Sequence, residues 1–122
     1  MIAESLVIVR LQEVAAATTA AARSLGGVGA PDRVVEVVAV AATELLTNAL
    51  VHAGGPATLR VEVGDRSVRI GVVDADARPV EVGRLDPDRI GGNGLRIVEA
   101  LADEWGTDLR PEGKEIWFRC HW

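Results

Sequence analysis

From Val34 to Ala53 the chain keeps a helical pattern without a turn signal, and Glu44 and Asn48 stand one turn apart inside it. Positions i and i+4 share a helix face, so this acid and this amide point the same way. Thr43 and Thr47 lie beside them, in a segment otherwise dominated by Val, Ala and Leu. The β-branched residues of Val34 to Val40 would also suit a strand. The pattern continues past any ordinary strand length, however, and Ala41 to Ala53 favours helix, so the whole run is expected to be helical. A buried carboxylate without partners is costly. The polar stripe therefore lines a cleft, or else it is the solvated face of an amphipathic helix.

After this helix the period changes. Gly54-Gly55-Pro56 stops it, and two alternating runs follow. Leu59, Val61 and Val63 face one way, with Arg60 and Glu62 facing the other. Val68, Ile70 and Val72 repeat the pattern beyond a Gly64-Asp65-Arg66 turn. That is a β-hairpin with one buried face, and Asp74 stands at the end of its second strand.

The remaining segments complete a small layered domain. Leu6 to Leu11 reads as a short edge strand, and Gln12 to Leu25 as an Ala-rich helix stopped by Gly26-Gly27. Asp32 is an N-cap candidate for the long helix. Ala75 to Ile90 has no period and carries Pro79 and Pro87, and a loop this long in a small domain is usually functional. Leu95 to Ala102 is a helix, and Trp105–Arg110 and Lys114–Trp122 form a second hairpin about Pro111-Glu112-Gly113. Ile116, Phe118, Cys120 and Trp122 alternate with Trp117, Arg119 and His121. The order predicts one α/β domain over residues 1–122, a two-layer α/β sandwich. Its sheet is mixed and mainly antiparallel, with helices on one face.

Composition narrows the function classes. At 122 residues the chain suits a single core, and a hydrophobic share of 48% is enough to fold without staples. The formal net charge of −5 argues against nucleic acid as the main partner. Cys120 is the only cysteine, which excludes an internal disulfide and a cysteine-rich metal site. Its place in an apolar alternation favours burial over reactivity. No apolar run is expected to span a bilayer, and Met1 to Arg10 lacks the features of a signal peptide. The expected location is cytoplasmic, with no membrane partner.

Two further features bear on chemistry. Gly91-Gly92-Asn93-Gly94 opens a helix, where unpaired amides and the helix dipole favour an anion; the same glycines also suit a plain turn. No Walker lysine follows, because Leu95 and Arg96 occupy those places. Asp74 is either a turn former or a ligand contact. As a contact, its acceptor-only carboxylate suits an exocyclic amine such as adenine's and repels the guanine carbonyl.

Taken in order, Glu44, Asn48, Asp74 and Gly91 to Leu95 resemble the nucleotide-binding signature of the GHKL ATPase family. Its members include histidine-kinase catalytic domains, Hsp90-type chaperones and anti-sigma serine kinases. Glu44-Leu45-Leu46-Thr47-Asn48-Ala49-Leu50-Val51-His52-Ala53 resembles the family's N box. Val72-Val73-Asp74 resembles the start of its first glycine box, and Gly92-Asn93-Gly94-Leu95-Arg96-Ile97-Val98 its second. The strand around Trp117 fits as well. Chain length, the opening strand and the run from Gly94 to Gly106 most resemble the small anti-sigma-factor-like ATP-binding proteins of actinobacteria.

The resemblance implies a Bergerat-type fold that binds ATP with Mg²⁺. Asn48 would hold the metal through its side-chain oxygen, and Glu44 would act as base or orient the attacking hydroxyl. Asp74 would bind the adenine amine, and Gly92, Asn93, Gly94 and Leu95 would receive phosphates. Ala75 to Ile90 would be the lid. Implied partners are a STAS-type anti-sigma-factor antagonist, a sigma factor, or both, with a homodimer through the sheet or first strand also implied. One departure stands out. The family commonly has Asp-x-Gly-x-Gly, whereas Asp74 is followed by Ala75, Asp76, Ala77 and Arg78. Both glycines are missing, and with them a feature of lid geometry. An intact Glu44 favours a protein kinase; the missing glycines favour a module that controls its partner by contact. His52, at a helix end, reads as a capping or packing residue.

Overall fold

The computed structural model describes residues 2–52, 55–75, 94–111 and 113–122. Five strands form one sheet: β1 (Ile2–Ile8), β2 (Ala57–Gly64), β3 (Ser67–Asp74), β4 (Glu104–Arg110) and β5 (Gly113–His121). Their spatial order is β1-β2-β3-β5-β4. Three helices, α1 (Val14–Gly26), α2 (Asp32–His52) and α3 (Gly94–Leu101), pack against the sheet. The result is the expected two-layer α/β sandwich. Every neighbouring strand pair is antiparallel, so the sheet has no parallel component among the described residues.

Both hairpins form where alternation places them. Along β2, Ala57, Leu59, Val61 and Val63 are buried, and the residues between them are half-buried. Asp65 and Arg66 make the turn, with Arg66 at a positive φ of 54°. In the C-terminal hairpin Ile116, Phe118 and Cys120 point into the core. Burial pushes the Cys120 thiol up, which leaves it an inert core group.

Helix α2 carries the centre of the fold. Val34, Val38, Ala41, Ala42, Leu45, Leu46 and Ala49 are buried at spacings of three and four, the stripe an amphipathic helix buries. The β-branched start of this run is helical because its stripe meets α1 and the sheet. By length and composition alone α2 could also cross a bilayer, with 21 residues and a mean hydropathy of 1.8. That departs from the expectation that no apolar run is long enough. Here its apolar stripe is part of the core.

Two boundaries differ from expectation. Strand β1 runs from Ile2 to Ile8, not from Leu6 to Leu11. It pairs with β2 from Ile2↔Val63 onward, and the polar residues Glu4 and Ser5 are tolerated because this is an edge strand. It stops because the Val9 and Arg10 amides donate to Glu13 Oε1, at 3.1 and 2.8 Å. A 3-10 turn, Leu11–Glu13, follows. At the start of α2 the Pro31 carbonyl accepts from the Val34 and Val35 amides. Asp32 accordingly lies in the first turn, where its charge still favours the helix dipole.

Candidate functional site

Asn48 is half-buried on α2, beside the apolar stripe, and its side-chain oxygen Oδ1 is enclosed. That oxygen accepts no hydrogen bond among the described residues. A buried amide carbonyl left without a donor costs about 1–3 kcal/mol. The position is therefore one where an external donor or a cation gains by binding. Glu44, one turn earlier, is also half-buried. Thr43, which the sequence groups with them, donates its hydroxyl to the Ala39 carbonyl at 2.7 Å. That proton stays within the helix.

Asp74 ends β3 on the side that faces the helices, since it continues the buried series Val68, Ile70 and Val72. It is 6% exposed. Across the β3–β5 register it faces Lys114, whose Nζ donates to Asp74 Oδ1 at 3.3 Å. Gly113 sits against the same point. Its φ is +148°, and a β-carbon there would overlap the Asp74 carbonyl oxygen. Only glycine lets β5 begin so close to the end of β3.

The elements bearing these residues meet. Helix α2 packs against both β3 and α3. Gly94 opens α3, and Leu95, half-buried, packs on the core with Ile97 beside the buried Val98. Gly92, Asn93 and the proposed lid lie outside the described residues, apart from Ala75 at the lid's start. His52 is exposed at the end of α2. Among the described residues no group of three or more His, Cys, Asp or Glu side chains could hold a metal. The Asn48 oxygen is itself a hard donor, of the kind Mg²⁺ accepts beside water and phosphate oxygens.

Lys114 and Glu115 were not among the site residues drawn from the sequence. The sign for Lys114 was available: it is the chain's only lysine, and it falls in step with Ile116, Phe118 and Cys120 on the buried face. Glu115 faces the opposite side of the sheet and is fully buried. It accepts from Arg60 at 3.0 Å, from Arg69 at 2.9 Å and from Arg110 at 2.9 Å. Burial pushes its carboxyl up, but the Arg69 and Arg110 hydrogen bonds and the charges of Arg69 and Arg60 outweigh that and hold it below the usual range. Arg69 and Arg119 also flank the Trp117 ring, at 5.1 and 5.6 Å from its centroid. This outer-face network ties β2, β3, β4 and β5 together behind the Asp74–Lys114 pair.

Comparison with known families bears on the chain as a whole. The model of the histidine kinase-like ATPase domain matches residues 8–120, which takes in every element from the end of β1 to β5. No curated protein matches the chain. With the two-layer fold and a match over nearly its whole length, the chain belongs to the histidine kinase-like ATPase domain family, a family of ATP-binding domains.

Proposed function

We propose that the protein is a Mg-ATP-dependent regulator of the anti-sigma type that phosphorylates a hydroxyl on a small STAS-type antagonist protein. The observation that carries this reading is the enclosed Oδ1 of Asn48, which has no partner among the described residues and lies one helical turn from Glu44. An oxygen of that kind fits a hard cation. Asn48 would hold Mg²⁺, which when bound neutralises phosphate charge. Glu44 would orient the attacking hydroxyl or accept its proton, and Asp74 would accept from the adenine amine. Gly94 and Leu95 at the α3 N-terminus, with Gly92 and Asn93 before them, would donate backbone amides to phosphate oxygens. Phosphoryl transfer needs little beyond such positioning and charge stabilisation.

A second reading has its own support. The chain leaves Asp74 through Ala75, where a glycine-rich box would give the backbone more freedom. In that reading ATP is a conformational ligand, and a sigma factor or antagonist is controlled by contact, with the homodimer a further possibility for its assembly. A transfer assay separates the two. Wild-type protein, Mg²⁺ and γ-labelled ATP are incubated with a STAS-type antagonist, in parallel with Glu44→Gln. Label on the antagonist that disappears in the variant while ATP affinity stays is expected. ATP binding with no label on any antagonist would remove the kinase reading and leave the module.

A further inference from the structure

The placement of Asp74 depends on the start of β5. The β2–β3 register closes at Thr58↔Val73, whereas the β3–β5 register continues one residue further, to Asp74↔Lys114. The ladder step that fixes Asp74 is therefore made with β5, and the next residue of that strand is Glu115. Glu115 lies on the open face of the sheet, away from the helices, yet its side chain is fully buried. Arg60 from β2, Arg69 from β3 and Arg110 from β4 enclose it, so one carboxylate joins β5 to three other strands. Gly71 supplies the space, since a β-carbon there would overlap the carboxylate.

A buried ion cluster seldom stabilises a fold more than an apolar group of similar size. What this one supplies is register. A slip of β5 by two residues keeps each side chain on its own face, but it would bring Gly113 or Trp117 to the place of Glu115. The three guanidiniums would then lose their shared acceptor. Arg110 adds a restraint of its own, because it closes the β4–β5 hairpin opposite Gly113, which sits against the Asp74 backbone.

We propose that Glu115 is a positioning residue for base recognition: with Arg110 it fixes the start of β5, and through that strand it sets where the Asp74 carboxylate meets the nucleotide base. This rests on Asp74 being the contact to the adenine amine. Glu115 itself touches no nucleotide, because it lies on the opposite face of the sheet from Asp74. Hydrogen bonds weaken steeply as distance and angle depart from their optimum. A displaced Asp74 therefore loses its hold on the amine first, and the preference for adenine over guanine falls.

The test is competition binding of ATP and GTP, each with Mg²⁺. The proteins are wild type, Glu115→Gln, Arg110→Met, Asp74→Asn and the two double variants that combine Asp74→Asn with one of the others. The readout is the ratio of the GTP to the ATP dissociation constant. Loss of folded protein weakens both nucleotides alike and leaves this ratio unchanged. Glu115→Gln should lower the ratio by about twofold or more, the least that coupled neighbours usually show. Arg110→Met should lower it too, and it keeps Arg60 and Arg69 on the carboxylate should Glu115→Gln fail to fold. With Asp74→Asn already present, neither change should lower the ratio further. An unchanged ratio in either folded single variant overturns the proposal, and so does a second fall of full size on top of Asp74→Asn. A wild type that does not distinguish ATP from GTP, or an Asp74→Asn that keeps the full preference, instead removes Asp74 as the amine contact; either result takes this proposal with it.

Discussion

Gly113 meets Asp74 so closely that a β-carbon at 113 would fall on the Asp74 carbonyl oxygen, at a backbone angle of +148° that side chains rarely adopt. The last residue of β3 and the first of β5 are therefore positioned as a unit. Gly113→Ala should destabilise the domain by about 1–3 kcal/mol, the cost of a strained backbone position. It should also weaken ATP binding, because Asp74 must move. Urea unfolding and a nucleotide titration on the same preparation check both effects. Unchanged stability would mean that the two strand ends are not in contact.

Asp74→Asn keeps the shape of the side chain but replaces an acceptor-only group with one that also donates. ATP affinity should fall by about ten- to a hundredfold, as for the loss of a charged hydrogen bond of about 1.5–3 kcal/mol. The preference for ATP over GTP should narrow. Competition of GTP against a labelled ATP analogue measures this in wild type and variant. Equal affinities for the two nucleotides in wild type would remove Asp74 from the base site.

Glu115 is the fully buried centre of three arginines. Glu115→Gln should cost about 2–3 kcal/mol, somewhat below the full cost of breaking a buried ion pair because the arginines can still reach water. Gly71→Ala should damage the same network from beneath, since its β-carbon would collide with the Glu115 carboxylate. Denaturant midpoints for both variants check this.

The same carboxyl gives a pH dependence with a definite sign. Its folded value lies below the ordinary 4.5. In acid the unfolded chain takes up this proton first, so the contribution of Glu115 is complete above about 4.5 and is lost as pH falls through its lower folded value. Stability measured from pH 6 downward should fall below about pH 4.5 in wild type, and less steeply in Glu115→Gln. Identical slopes would exclude Glu115 as a source of acid lability.

How much was legible follows from the range of the interactions involved. Glu44 and Asn48 were visible because i and i+4 are local, and Asp74 because alternation carries Val68, Ile70 and Val72 straight to it. The hairpins were legible for the same reason. The β3–β5 pairing was not, because it joins strands far apart in the chain. The Lys114–Asp74 bond, the Glu115 hub over Gly71 and the reason for Gly113 all depend on that register. The start of β1 was hidden by Glu4 and Ser5, which are polar on an edge strand. Thr43 was grouped with the stripe by sequence proximity, whereas its hydroxyl bonds its own helix.

The central claim is that α2 supplies a metal-dependent ATP site through Asn48, with Glu44 serving transfer alone. Titration of ATP into wild type, Asn48→Ala and Glu44→Gln, each with and without Mg²⁺, tests it most directly. Wild type and Glu44→Gln should bind ATP with Mg²⁺ at similar affinity, and Asn48→Ala should lose the magnesium-dependent part of binding while remaining folded. Asn48→Ala that binds Mg-ATP like wild type, with the same dependence on Mg²⁺, would contradict the account.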